Sequence, residues 1–278
     1  MRSAVVACAA VLVACATYDP VDELPHREFA TTGDAVRSIL AESGEVQVYA
    51  VGEYHPIRTI LKRHSPLAHF TSEIIGLLEP HARDLVLEAW FDASCVSGGD
   101  PIQAQIQAAT SRPPSTRADL ANLVAAGHRM NIETHGLPMT CIEHSSLLDP
   151  RGRVDFLRLL ELVTDKLHDA TEHLVRRGHA VIVYGGALHN DLYPRWPLEE
   201  LSYAHSLAPE ISVLELDLVV PEVVAPMKLL WQEPWFPLLA RASPARVIVW
   251  ERGPGSYVLI LPAQSEAVAK VAKAVDVM

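Results

Sequence analysis

This sequence predicts an α/β fold: a mostly parallel sheet covered by helices on both faces, with an antiparallel edge hairpin near the C-terminus. Three observations predict it. From about residue 46 onward, short apolar runs of strand length alternate with longer stretches of helical spacing. One such stretch, Arg153 to Arg177, repeats apolar residues at three- and four-residue steps along its whole length. Near the end, Arg246 to Trp250 and Tyr257 to Leu261 are two apolar runs joined through Gly253-Pro254-Gly255, the pattern of a hairpin.

The elements follow in order. Val46 to Val51 reads as the first strand and ends at Gly52. Leu67 to Leu78 carries Phe70, Ile74, Leu77 and Leu78 on one side and predicts a helix. Asp84 to Ala89 is a second strand, Leu-Val-Leu bounded by charge. Residues 92–116 contain Gly98-Gly99 and Pro113-Pro114, which predicts an insertion with a short helix near Ile102 to Ala109. Leu120 to Met130 is helical again, and Pro138 to Ile142 predicts a third strand. In the long helix Phe156, Leu159, Leu160, Val163, Leu167 and Leu174 share a face, and Gly178 stops it. His179 to Tyr184 and Ser212 to Leu218 are the fourth and fifth strands, and Ser265 to Val275 is a last helix. No repeat interrupts the pattern, so residues 28–278 are expected to form a single domain.

Residues 1–14 read as a lipoprotein signal peptide. Arg2 supplies a positive start, and Ala4 to Val13 is apolar but too short to span a bilayer. Leu12-Val13-Ala14-Cys15 has the spacing of a lipobox, in which Cys15 is lipidated and becomes the N-terminus; the alternative is a plain secretory signal cut near Ala16. Residues 15–27 are polar, contain Pro20 and Pro25, and read as a tether. The expected location is the bacterial cell envelope, facing periplasm or exterior, held to the membrane through Cys15. The net charge of −11 argues against nucleic acid, which requires a basic footprint. Once Cys8 is removed and Cys15 modified, Cys95 and Cys141 remain. In an oxidising compartment they are candidates for a disulfide, against the alternative of two buried thiols.

In open α/β sheets, ligands bind beyond the carboxyl ends of the strands. After the first strand comes Gly52-Glu53-Tyr54-His55, and the second ends at Glu88. The third runs out at Glu143-His144, and the fourth runs through Tyr184-Gly185-Gly186 to His189. Four strand ends thus deliver carboxylates or imidazoles to one edge. His64 and His69, at the start of the first helix, are candidates for the same rim, against the alternative of ordinary helix-surface histidines. His135 reads as a loop residue, and His179 as solvent-facing or helix-end. The sequence has no His-Glu-x-x-His helix, Gly-x-Ser-x-Gly elbow, phosphate loop or Cys-x-x-Cys pair. What is left is a mixed nitrogen and oxygen set, suited either to a divalent metal or to metal-free His/Glu acid–base chemistry.

Gly52-Glu53-Tyr54-His55, then Glu88, then Gly186-Ala187-Leu188-His189, in that order on strand ends, resemble the superfamily of the erythromycin esterases, the ChaN-like haem-uptake lipoproteins and the Tiki/TraB proteins. The resemblance runs from about Val46 to beyond Asp191. It implies a site of Glu53, His55, Glu88 and His189, with His55, Glu88 and His189 as the metal ligands. The implied function is a lipid-anchored hydrolase of peptidase or esterase type, acting on a small-molecule or peptide substrate. The alternative implied by the ChaN branch is a haem- or iron-binding lipoprotein without turnover, with Tyr184, Tyr193 or His64 toward the haem. From that branch the chain departs: the histidine after the first motif comes late, at His64, and aromatics to sandwich a porphyrin are few.

Overall fold

In a computed structural model, the structure describes residues 24–55, 65–89, 115–265 and 268. The leader, Cys15, His64, Cys95, the insertion and nearly all of the last helix lie outside these residues. The strands are β1 (His26–Phe29), β2 (Val48–Glu53), β3 (Asp84–Leu87), β4 (Glu133–Gly136), β5 (Val181–Gly186), β6 (Val213–Val219), β7 (Val247–Gly253) and β8 (Ser256–Ile260). They form one sheet in the order β1-β7-β8-β6-β2-β5-β3-β4. From β8 to β4 every pairing is parallel, whereas β7 runs antiparallel to both β8 and β1. The sheet is therefore mostly parallel, with its antiparallel pair from the C-terminal part of the chain and β1 added outside it.

Alternation along the strands sorts side chains between two helical layers. Tyr49 and Val51 of β2, Leu85 and Leu87 of β3, and Ile182 and Tyr184 of β5 face one layer. That layer contains α1 (Thr32–Glu42), α2 (Pro66–His69, continued through a π turn Phe70–Ile74 and then Ile75–Leu78) and α3 (Thr116–Arg129). Val48, Ala50, Val86, Val181 and Val183 face the other. There they meet Leu159, Val163 and Leu167 of α5 (Phe156–Arg176), together with α6 (Tyr203–Leu207). The side chain of Asp155 caps α5 by accepting from the amides of Leu157 and Arg158, a contribution of about 1 kcal/mol. Gly178 follows with φ +83, the left-handed conformation that ends helices.

Three expectations are corrected. The tether does not extend to residue 27, because β1 begins at His26 and pairs with β7. The helix α1 was not anticipated; Thr31 caps it, and Ala35, Val36 and Ile39 bury its inner face. The third strand is not Pro138 to Ile142 but β4, immediately before it. Pro138 has no N–H to give a ladder, and Thr140 and Glu143 form a capping box that opens α4 (Cys141–Ser146). Cys141 lies in that helix and is disulfide-bonded. Among the described residues, no helix is long and apolar enough to cross a membrane.

Candidate active site

β2 and β5 are neighbours whose outgoing chains cross to opposite faces of the sheet. Beyond β2 the chain enters the layer of α2, and beyond β5 it enters the layer of α6. A crevice opens between such strands at their carboxyl ends. Glu53 closes β2, with His55 two residues on, and β5 ends at Gly186, three residues before His189. Glu53, His55 and His189 line a cavity of about 660 Å³.

Glu53 is 5% exposed. Its Oε1 lies 2.7 Å from His55 Nδ1, and its Oε2 accepts from the Tyr184 hydroxyl at 2.6 Å. A buried carboxylate needs such donors to remain ionised. Because an ionised carboxylate only accepts, Glu53 fixes a proton on Nδ1 of His55 and makes Nε2 the acceptor of that ring. Glu88, just past β3, accepts the Gly186 N–H on Oε2 at 2.5 Å, and its Oε1 stands 3.8 Å from His55 Nε2. Glycines make this approach feasible. A Cβ at residue 185 would meet Glu88 Oε2 at 2.9 Å, and one at 186 would meet His55 Nε2 at 3.0 Å.

His189 is 3% exposed. Its Nδ1 is 2.8 Å from Thr164 Oγ1 and 3.2 Å from the Leu201 carbonyl, while Thr164 Oγ1 is also 3.0 Å from the carbonyls of Leu160 and Leu201. Carbonyls only accept, so the hydroxyl donates its one proton to a carbonyl and His189 Nδ1–H donates to the hydroxyl. Both cavity histidines therefore share one tautomer, with Nε2 as acceptor.

The remaining candidates have other partners. Glu143 caps α4 and pairs with Lys166 Nζ at 2.8 Å, and these contacts hold its carboxyl down at about 2. Neither Glu143 nor His144 lines the cavity; both sit on a helix rather than at a strand end. His69 pairs with Glu73 at 2.7 Å. Tyr184 is buried with its hydroxyl on Glu53, and Tyr193 lines the cavity but donates its hydroxyl to Pro254 O at 2.8 Å. Either tyrosine would lose that bond in becoming a haem ligand.

No family model matches this chain, and no curated protein matches its sequence. Among solved structures, "The structure of the type III effector HopBA1" is similar over 89% of this chain and 100% of its own, at 12% identity and a TM-score of 0.42.

Sequence reasoning missed two clusters. On β6, Glu215 and Asp217 are 0% and 1% exposed, and both face Arg252 of β7. Arg252 also bonds Asp191 at 2.5 Å, and Asn190 donates to Asp217 at 3.2 Å. Gly52 lies against this cluster so closely that a Cβ there would collide with the Asp217 carboxylate and the Asn190 amide. Burial pushes Asp217 up to about 6 even though Arg252 opposes the shift, and burial with the neighbouring Asp217 charge also pushes Glu215 well above its ordinary value. Between pH 4 and 6 the unfolded chain gives up the Asp217 proton before the folded one does. Stability from this group is thus full below its unfolded value and is lost as pH rises through about 6. Asp217→Asn removes the titration. Relative to the native chain it should gain on the order of 1–3 kcal/mol between pH 4 and 7, read by denaturant midpoints; an unchanged difference would reject the shift.

The second cluster lies at the opposite, amino-terminal edge of the sheet. Asp84, Glu133 and His135 form a group that could hold a metal ion, with one ligand atom of each within 4.8 Å of the others. Asp84 is buried, and its two oxygens lie 2.7 Å from His135 Nε2 and 2.8 Å from His179 Nδ1. His135 is a strand residue of β4 rather than a loop residue, and His179, which follows the end of α5 as expected with its side chain 40% exposed, also pairs with this carboxylate. Their signal was register: Asp84 and Glu133 are paired across β3 and β4.

Proposed function

We propose that this protein is a hydrolase of esterase or peptidase type, held at the cell envelope through Cys15, in which Glu53 and His55 activate water. The observation that carries the reading is the 2.7 Å contact between Glu53 Oε1 and His55 Nδ1 at the wall of a ligand-sized cavity. An imidazole whose Nδ1–H is held by a carboxylate is the arrangement of a general base. Nε2 of His55 takes a proton from water as its oxygen attacks a carbonyl carbon, and the imidazolium returns that proton to the alkoxide or amine as the scissile bond breaks. Glu53 stabilises the imidazolium, helped by the hydroxyl of Tyr184 on its other oxygen. His189, with the same tautomer, presents a second acceptor to the same cavity.

The resemblance would make His55, Glu88 and His189 ligands of a divalent metal, which when bound would lower the pKa of a coordinated water; Glu88 Oε1 stands 3.8 Å from His55 Nε2 but Glu88 is not among the residues that line the cavity. The test is turnover of a panel of aryl esters and short fluorogenic peptides by the mature chain, before and after dialysis against a chelator. Hydrolysis of either class that His189→Ala removes, in a variant that stays folded, supports the reading. Survival of turnover after chelation assigns it to the metal-free pair, and its loss with recovery on adding zinc or manganese assigns it to a metal. No turnover of any panel member by the folded chain, with or without metal, overturns the reading.

A further inference from the structure

We infer that the cavity takes an amphiphile with a long acyl chain, the chain lying along an apolar wall that continues onto an apolar mouth. Only the scissile bond of that ligand, an ester or amide carbonyl near His55, rests on the hydrolase reading. Large apolar side chains that face water are normally scattered singly over a soluble protein. Here they converge. Seven are exposed among the described residues, and four of these (Phe156, Tyr193, Leu198 and Leu229) line this one cavity. Two more, Leu157 and Trp196, are next to lining residues in the chain.

The four come from three separate segments: the first turn of α5, the loop after β5, and the 3₁₀ turn Lys228–Gln232. No single amphipathic element explains them. Leu229 is 91% exposed and Phe156 51%, yet neither contributes to the buried core. Leaving such groups in water is unfavourable in proportion to their apolar area, and a ligand that covers them recovers that free energy. Leu160, Leu188, Leu230 and Trp250 continue the apolar wall, while Glu53, His55 and His189, with Asp191, Arg195, Glu233 and Arg252 on the same lining, supply the polar part. An apolar tail with a polar, carbonyl-bearing end matches both parts. A small polar ester or a charged peptide would match only one.

The test has two independent readouts on the mature chain. A non-hydrolysable dodecyl amphiphile carrying a fluorescent reporter measures binding, and a series of nitrophenyl esters from acetate to dodecanoate measures turnover. The probe is expected to bind, and Leu229→Asp to weaken it at least tenfold. Ile142→Asp, which changes an exposed apolar residue on α4 outside the cavity, should leave it unaltered. Turnover per molar substrate should rise at least tenfold from acetate to dodecanoate. Absence of probe binding, equal weakening by Leu229→Asp and Ile142→Asp, or turnover that ignores chain length overturns the inference. Probe binding of the expected specificity without hydrolysis of any ester sustains the acyl site and counts against the hydrolase reading alone.

Discussion

Replacing Arg252 with Ala is expected to destabilise the fold by about 3–5 kcal/mol at pH 7, the usual cost of breaking a buried ion network by removing one partner. For a chain of this size that lowers the thermal midpoint by roughly 10 °C. Arg252 bonds Asp191 at 2.5 Å, Asp217 at 3.2 Å and Glu215 at 3.3 Å, and the side chains of the last two are each 1% exposed. Without the guanidinium, these carboxylates face one another in the interior with no opposing charge. They can respond only by binding protons. The deficit should therefore shrink as pH is lowered from 7 to 5, the direction opposite to ordinary acid denaturation. Arg252→Lys keeps the charge but not the forked donor geometry, and should recover only part of the loss. A midpoint for Arg252→Ala within about 2 °C of the native chain at pH 7, measured by calorimetry or circular dichroism, would show that the network contributes little.

That network also shows where sequence reading stops. Leu214-Glu215-Leu216-Asp217-Leu218 alternates apolar and charged residues, which in isolation describes a strand with one face in water. In the fold β6 lies between β2 and β8 with a helical layer on either side, so the charged face is buried. Only the strand order reveals this. β4 was lost for the converse reason: its residues, Glu-Thr-His-Gly, are those of a half-exposed edge, and the apolar run after it begins with a proline. The strands β2, β3 and β5 were legible because burial on both faces makes short apolar runs, and β6 by its alternation. Glu53, His55 and Glu88 were legible as polar residues at the end of such a run, and His189 as an imidazole three residues beyond the glycines that close β5. What orients them was not. Tyr184 reads as one more strand aromatic and Thr164 as one polar position in a long helix, until β5 and α5 set them against Glu53 and His189.

The largest functional effect is expected at His55. His55→Ala removes the proposed base and should lower turnover of a responsive ester by about 10²–10⁴-fold, the span that general-base catalysis covers. Glu53→Gln is the sharper variant. The amide has the shape of the carboxylate and can still accept the His55 Nδ1–H or the Tyr184 hydroxyl, so packing is little disturbed at this buried position. What disappears is the negative charge that stabilises the imidazolium as His55 takes the proton. A fall in kcat of at least tenfold with KM nearly unchanged is therefore expected, because the charge acts on the transition state and not on the bound substrate. Tyr184→Phe removes only the donor to the other carboxylate oxygen and should give a smaller loss in the same parameter. Glu53→Gln turnover equal to that of the native chain, in protein whose thermal midpoint shows it to be folded, would leave His55 without an orienting carboxylate and remove Glu53 from the proposed mechanism. A loss confined to KM would move Glu53 from chemistry to substrate binding.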